Sequence, residues 1–434
     1  MIDLTIILPS YNVGEYIDEC LKSVCYDTKY SIEILCIDAG SSDRTVDCIK
    51  GFLNRDSRFR LIHSDVKSYG YQVNLGISRA KGKYVQIVET DDFVVSKTID
   101  KLVDLAEEYN LDYIKGDYYG FVEINEKRLW RDYHMPEKIS GCKILGQVIK
   151  PSSYNEIVSL DTSIWRGIYR REFISANRIF LNETSGAAYQ DVGFVLQTIE
   201  CAQRAMYVNE MIYCYRQNRI ESSVFNLNCL KYLMQEFEFL QKNKKNSKRI
   251  LYREVSAFLI EVKKTIISNL GNVSGVFNEY SFFAEDLKKR VNNGEISKND
   301  FADDVWKELN MILFSFEKYA NKIWVDHCEI EQKKEKVLEL LKQNGTVIFG
   351  CGIWGKEAVE ILESNDITIN AIIDNDIEMW GKDIMGYVID NPETIIPSFL
   401  NSLYLIANKN NSLDIKLQLM QLGVLDSNIV DFWR

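Results

Sequence analysis

The chain has 434 residues, 46% hydrophobic and 26% charged, enough to bury more than one core. Its formal net charge of −11 argues against a nucleic-acid-binding protein, which carries a basic footprint. No apolar stretch approaches the roughly 20 residues of a membrane-spanning helix, so a cytoplasmic chain is expected. The dense basic run Lys242, Lys244, Lys245, Lys248 and Arg249 then reads as a solvated helix face, with peripheral contact at the inner face of a membrane as the alternative.

Met1-Ile2-Asp3 lacks the basic segment of a signal peptide and leads into an apolar strand at 4–8, stopped by Pro9-Ser10-Tyr11-Asn12. Ile17, Cys20, Leu21 and Val24 then recur on one helical face. A second strand, 32–37, ends on Asp38 and the loop Ala39-Gly40-Ser41-Ser42-Asp43. Residues 46–52 predict a helix, 60–63 a short strand and 73–80 a helix ended by Gly82. A fourth strand, 84–88, ends on the acidic cluster Glu89-Thr90-Asp91-Asp92. The alternation predicts an α/β sheet whose polar loops follow the carboxyl ends of the strands, where open α/β sheets bind ligands. From 229 to 344 the texture is helical: Leu251, Val255, Phe258, Leu259, Val262 and Ile266 keep the 3.6 period, and no proline occurs. The tail returns to α/β, with a strand at 346–349, Gly350-Cys351-Gly352-Ile353-Trp354-Gly355, a helix at 356–364 and a strand at 369–373 ending on Asp374. The domain boundaries expected are therefore 1–228, 229–344 and 345–434. Ten cysteines without a C-x-x-C pair read as reduced, mostly buried thiols, and three histidines (His63, His134, His327) offer little to a zinc site.

Asp38 at a strand end can accept a hydrogen bond from a base or a sugar hydroxyl. Glu89 and Asp91 are spaced so that two carboxylates from one tight turn reach one hard cation, Mg²⁺ or Mn²⁺, which keeps open positions for substrate phosphates. A transferase that expels a diphosphate needs such an ion. An acidic pair after a strand is also a common turn or cap, and Asp92 is expected to shape the turn alone.

Five segments stand in order over residues 3–225: Thr5-Ile6-Ile7-Leu8-Pro9-Ser10-Tyr11-Asn12; the run from Ile34 to Asp43; Lys81-Gly82-Lys83-Tyr84 followed by Val88-Glu89-Thr90-Asp91-Asp92; Trp165-Arg166-Gly167-Ile168-Tyr169-Arg170-Arg171-Glu172-Phe173; and Tyr189-Gln190-Asp191-Val192-Gly193-Phe194. Together they resemble the inverting family 2 glycosyltransferases of GT-A fold that build bacterial surface polysaccharides. The resemblance implies an N-terminal GT-A domain, a Rossmann-like mixed sheet. It puts Pro9 and Tyr11 in the nucleotide loop with Tyr11 stacked on the base, Asp38 on the base edge, and Asn74 in the donor-binding segment. Glu89 would hold the ribose or lie near the metal, Asp91 would ligate Mn²⁺ or Mg²⁺, and Asp191 would be the general base. A helix cap before 192–199 is the other reading of Asp191. The chain departs from the family pattern at Ala39, where a second Asp is usual, and at Glu89, where Asp is commoner. It also lacks the arginine that often precedes Asn74, which leaves the metal, Arg216 or Arg219 to neutralise a diphosphate.

In the tail, the strand, G-x-G-x-x-G turn, helix, strand and acid 19 positions on resemble Rossmann-like nucleotide-binding units, including the small N-terminal domains of sugar acyltransferases. Gly350, Gly352, Gly355 and Asp374 are the expected contacts to a second nucleotide, a UDP-sugar or NAD. A docking module with a glycine turn for packing is the alternative, and Trp354 is expected to crowd a ligand there. The function expected is transfer of a sugar, with inversion, from a UDP-sugar to a glycan or lipid-linked acceptor. The rivals are a nucleotidyltransferase and a non-catalytic nucleotide-sugar-binding scaffold.

Overall fold

The computed structural model describes residues 2–124, 127–217, 229–243, 247–269, 273–408 and 411–432; Arg219, Lys244 and Lys245 lie outside them. The chain forms two compact units, Met1–Gly120 with Asp132–Ala320, and Phe121–Arg131 with Asn321–Arg434.

The first unit begins β1 (Leu4–Ser10), α1 (Ile17–Val24), β2 (Ile32–Asp38), α2 (Thr45–Leu53), β3 (Phe59–His63), α3 (Tyr69–Arg79) and β4 (Tyr84–Ile87). It continues with β5 (Phe93–Val94), α4 (Ser96–Glu108), β6 (Tyr113–Ile124), β7 (Lys127–Tyr133), the small hairpin β8 (Lys138–Ile139) and β9 (Cys142–Lys143), and α5 (Ile157–Leu160). Then follow β10 (Gly167–Arg170), α6 (Arg171–Ala176), α7 (Gln190–Cys201) and β11 (Ala205–Arg216). The mixed sheet runs β3-β2-β1-β4-β10-β6-β11-β5, with β7 paired to β6. Strands β1 to β4 are parallel to one another, while β10 is antiparallel to both β4 and β6. This is a GT-A-like sheet. All seven residues of β1 and of β2 are buried, the near-continuous apolar run of a parallel strand covered on both faces.

Strand β1 runs to Ser10, two residues beyond its expected end at Leu8. A proline without an N–H is tolerated here because the pairing with β4 ends at Ile7 with Ile87. Helix α3 starts at Tyr69, not at 73, because Ser68 is its cap and accepts a hydrogen bond from the Tyr71 N–H at 3.2 Å. Helix α7 starts at Gln190 behind Tyr189, which holds a left-handed φ of 64°. The cap is therefore Tyr189, and Asp191 lies inside the first turn. The unit ends in α8 (Cys229–Asn243), α9 (Lys248–Ser268), α10 (Val273–Asn292) and α11 (Asp303–Phe314), with α12 (Phe316–Lys342) continuing into the second unit. The helical texture from 229 on is thus observed. Lys248 and Arg249 are ion-paired to Asp300 and Glu200, each at 2.7 Å, while Lys242 is exposed.

The second unit holds β12 (Thr346–Phe349), α13 (Ile353–Ser364), β13 (Ile369–Ile373), β14 (Asp383–Ile384), β15 (Tyr387–Asp390), α14 (Pro392–Ile395), β16 (Leu403–Ile406), α15 (Ser412–Gln421) and β17 (Ile429–Val430). Its order is β14-β15-β13-β12-β16-β17, and all neighbours are parallel except β14 with β15. Alternate residues feed two cores: Ile348, Ile372 and Leu405 one, Val347, Phe349, Ile373, Tyr404 and Ile406 the other. Val122 and Leu129 of the β6–β7 hairpin join the first core, and Arg131 pairs with Glu360 at 2.6 Å. The nine described cysteines are free thiols, and no described helix is long and apolar enough to cross a membrane.

Candidate functional site

Loops at the carboxyl ends of β1, β2 and β4 converge. Asn12, held at a φ of 50°, accepts the Ser42 N–H at 2.9 Å, and its own N–H donates to Ser41 Oγ at 3.0 Å. The buried Asp38 carboxylate accepts the N–H groups of Gly40 at 2.9 Å and Ser41 at 3.2 Å, and the Ser41 hydroxyl at 2.5 Å. Asp38 therefore shapes its own loop as well as standing in it. Gln72, buried in α3, ties the strand ends together by donating to the carbonyls of Ser10 and Ile37. Pro9 is buried, with its carbonyl accepting the Thr90 hydroxyl at 2.9 Å. Tyr11, by contrast, is exposed, with the Lys67 ammonium 4.7 Å from its ring centroid and 2.9 Å from its hydroxyl. Ala39 is buried against β1 through its N–H to the Ser10 carbonyl.

Beyond β4 the carboxylates of Glu89, Asp91 and Asp92 bring oxygens within 4.8 Å of one another. Asp92, expected only to shape the turn, belongs to this cluster. It accepts the Arg216 N–H at 2.7 Å and the Tyr213 hydroxyl at 3.0 Å, and Tyr213 in turn accepts the Glu89 N–H. Burial first, then the charges of Asp91 and Glu89, hold the Asp92 carboxyl well above the usual range. Three crowded carboxylates with hard oxygen donors fit a Mg²⁺- or Mn²⁺-sized ion, whose charge would relieve that repulsion. Arg216 is not available to a diphosphate as it stands. Its Nε donates to the Asp91 carbonyl at 3.1 Å, Nη2 lies 3.1 Å from Glu19, and the guanidinium covers Tyr16.

Asn74 also departs from its expected part. Its amide donates to Leu181 O and Glu183 Oε1, and its carbonyl accepts the Leu181 N–H, all at 2.9 Å, so it clamps the segment before α7. The same segment is stitched to the start of α3 by Tyr69 N–H to Gly186 O at 3.0 Å and Gly186 N–H to Lys67 O at 3.1 Å. Gly70 is required by this closeness: a Cβ there would lie 1.9 Å from Asn182 O. Through these ties α3 and the first turn of α7 are held together.

Tyr69 stands beside the acidic cluster. Its hydroxyl is 3.3 Å from Glu89 Oε1, and burial, then the charges of Glu89 and Asp191, push its phenol well up. Tyr215 is raised by burial and by the same four carboxylates. Asp191 is itself raised by burial; hydrogen bonds from the Val192 N–H and its own, then the charges of Arg253 and Lys115, work against that rise. Lys115 is buried in an ion pair with Asp161 at 2.7 Å, and burial lowers its ammonium to about 8. Tyr69, Tyr213 and Tyr215 were not foreseen. The alternation Tyr213-Cys214-Tyr215-Arg216 on a strand was the available signal.

In the second unit, Gly350 has a φ of 117°, and a Cβ there would lie 2.6 Å from Ala407 O; a Cβ on Gly355 would lie 2.1 Å from Gly350 O. Both glycines serve close packing of the turn. Gly352, before α13, has open space where its Cβ would stand. Asp374 accepts the N–H of Cys351 at 2.8 Å and that of Asp376 at 2.9 Å, so it already braces the glycine loop. Trp354 packs against the core of Ile348 and Leu362 rather than crowding the loop.

Residues 5–163 match the protein-family model described as Glycosyl transferase family 2, and residues 342–430 match one described as C2185-like, N-terminal. The chain is 29% identical over 220 residues to the uncharacterized glycosyltransferase EpsJ of Bacillus subtilis (strain 168), which covers 50% of this chain and 61% of that protein. It is 26% identical over 222 residues to the glycosyltransferase GlyG of Streptococcus pneumoniae serotype 4, covering 49% and 70%. The match to EpsJ thus spans less than two thirds of that relative. Among solved structures, S. aureus TarS superposes with a TM-score of 0.50 over 75% of this chain and 54% of that one, at 14% identity, a likeness of fold.

Proposed function

We propose that the chain transfers a sugar from a nucleotide-sugar donor, read as a UDP-sugar, with inversion, to a hydroxyl of a glycan or lipid-linked acceptor in surface-polysaccharide synthesis. The observation that carries this reading is the cluster of Glu89, Asp91 and Asp92 just beyond β4, with the Tyr69 hydroxyl 3.3 Å from Glu89 Oε1. The similarity of the N-terminal half to EpsJ and GlyG supports it.

In this reading Tyr11 stacks on the base and the Asp38 loop lines the nucleoside. Asp91, with Glu89 and Asp92, holds a divalent ion, Mn²⁺ or Mg²⁺, which when bound neutralises the leaving diphosphate. Asp191 takes the proton of the acceptor hydroxyl as its oxygen attacks the anomeric carbon from the side opposite the departing diphosphate. A base that is ionised in use yet raised by burial is matched to this task better than a fully solvated carboxylate. The accompanying organisation is a transferase domain at 1–228, helices at 229–344 and a Rossmann-like domain at 345–434, in a cytoplasmic protein. The glycine loop of the last domain is the proposed seat of a second nucleotide, a UDP-sugar or NAD, with its open side at Gly352.

Product analysis of the full chain with UDP-sugars, Mn²⁺ and acceptor glycans is the test. Free UDP with a new glycoside of inverted configuration is expected, and Asp191→Asn should abolish it while leaving donor binding intact. Pyrophosphate as product would mean nucleotidyl transfer; donor binding without any product would mean a scaffold. Retained configuration would remove the single-displacement step.

A further inference from the structure

Residues 181–189, which lead into α7, are irregular apart from a bridge between Gly186 and Ser68. Two of them stand at positive φ, Gly186 at 85° and Tyr189 at 64°. For a bulky residue such as Tyr189 this conformation is an outlier that persists only where its surroundings over-determine it. Gln190 contributes those surroundings. Its side chain is buried and folds back over the segment. Oε1 accepts the Ala188 N–H at 2.7 Å. Nε2 donates to Thr184 Oγ1 at 2.8 Å, and to the carbonyls of Gly186 at 3.3 Å and Thr184 at 3.4 Å. The Gly186 carbonyl also accepts the Tyr69 N–H at 3.0 Å, and the Tyr69 hydroxyl lies 3.3 Å from Glu89 Oε1. A hydrogen-bonded path therefore runs from the acidic cluster through Tyr69 and Gly186 to Gln190, the neighbour of Asp191.

Resting on the reading of Asp191 as the base, we propose that Gln190 is a positioning residue for the reaction. Its amide locks the turn before α7, so that the Asp191 carboxyl keeps one register to the Glu89-Asp91-Asp92 cluster. A base must reach the acceptor hydroxyl while the diphosphate departs at the acidic cluster, so the two ends of the site need a common frame. The segment is braced in three places. Asn74 holds its far end at Leu181 and Glu183, and the backbone of Lys67 and Tyr69 holds its middle at Gly186. Gln190 holds the end that carries Asp191. An amide suits this place because it donates and accepts at once. A carboxylate there would face the oxygens of Thr184 and Gly186 without a proton to offer, and would add a charge beside Asp191.

Steady-state kinetics on the full chain, with UDP-sugar and acceptor glycan varied in turn, test this. Gln190→Met keeps the length of the side chain and loses its hydrogen bonds. Its kcat should fall roughly 10- to 100-fold, the effect of a displaced catalytic group. Acceptor KM, donor Kd and the Mn²⁺-dependent rise in Tm should stay as in wild type, because the groups that bind in the ground state are untouched. Thr184→Val removes one acceptor of the same amide and should lower kcat in the same way, but less. On the Gln190→Met background it should cost nothing further, since the bond it removes is already gone. If Gln190→Met lacks a native thermal melt, Thr184→Val decides alone: its kcat must fall while its donor Kd stays. A Gln190→Met rate near that of wild type would overturn the inference. So would a loss shared equally by donor affinity, or losses that multiply in the double variant. If Asp191→Asn retains turnover, it is the base that has been misassigned. If Asp191→Asn is inactive and Gln190→Met is unimpaired, the inference about Gln190 alone falls.

Discussion

Carboxylates held within 4.8 Å of each other repel, and the fold keeps Glu89, Asp91 and Asp92 together only because Tyr213, Arg216 and Tyr69 donate to them or to their backbone. A ligand that binds this arrangement and not the unfolded chain stabilises it by mass action, about 2.7 kcal/mol at a hundredfold excess over Kd. Millimolar Mn²⁺ should therefore raise the melting temperature by several degrees, and Asp91→Asn should remove most of that rise. An unchanged Mn²⁺ response in the variant would detach Asp91 from the ion. Glu236 makes a second prediction. The folded state keeps its carboxyl protonated up to about 8, whereas an ordinary Glu releases its proton near 4.5. The stability it permits is whole below the lower value and declines as pH rises toward the upper one. Glu236→Gln is spared that decline, so its advantage over wild type should grow across this window to roughly 3 kcal/mol by neutral pH as an upper bound. Urea melts at pH 5 and pH 8 that differ by the same amount for both proteins would refute it. At this scale the sequence displayed the acids but not their partners. Asp91 and Asp191 stand out through motif spacing, whereas Tyr69 meets Glu89 across 20 positions, which no local pattern records.

At the scale of elements, strands were read well because burial on both faces leaves an unbroken apolar run, as in β1 and β2. Helix starts were read late, because the first turn is set by a cap and not by apolar period. Ser68 caps α3 so that it starts at Tyr69, four residues before Val73, and Tyr189, left-handed, caps α7 ahead of Asp191. Where α7 meets α8 the fit depends on one missing methyl. A Cβ on Gly193 would lie 1.5 Å from Glu236 Oε1. Gly193→Ala must push α8 away or turn the Glu236 side chain, at a cost of roughly 1–3 kcal/mol. Because Asp191 precedes Gly193 by two residues on the same helix, acceptor turnover should fall more than donor affinity. Glu236→Ala should recover much of both losses in the double variant, the coupling expected of residues in contact. Additive losses would mean that the two helices do not communicate through this contact.

At the scale of the molecule, the texture of the sequence divides the chain at 228 and 344, whereas its compact units divide it within α12 and lend the hairpin tip Phe121–Arg131 to the second unit. Texture follows local composition, while units follow contacts such as Val122 and Leu129 with the core of Ile348, made across more than two hundred positions. The glycine turn of that unit separates packing from binding. Gly355 is pressed against Gly350 O, so Gly355→Val should destabilise the unit whether or not a ligand binds. Gly352, with an ordinary φ of −73° and open space beside it, can carry a side chain without strain. A valine there should leave the thermal melt and the transferase rate within a modest factor of wild type, yet fill the side from which a diphosphate would approach the first N–H groups of α13. Calorimetry on the full chain with NAD, a ligand the N-terminal site is not expected to take, isolates this loop; a UDP-sugar titration should then show one component fewer in Gly352→Val. Asp374 already braces Cys351 and Asp376, so a ribose must share its carboxylate, and Asp374→Asn should weaken the loop as well as the ligand. If NAD gives no heat with the wild-type chain and Gly352→Val leaves the UDP-sugar titration unchanged, the turn is a packing device and the second unit is a docking module.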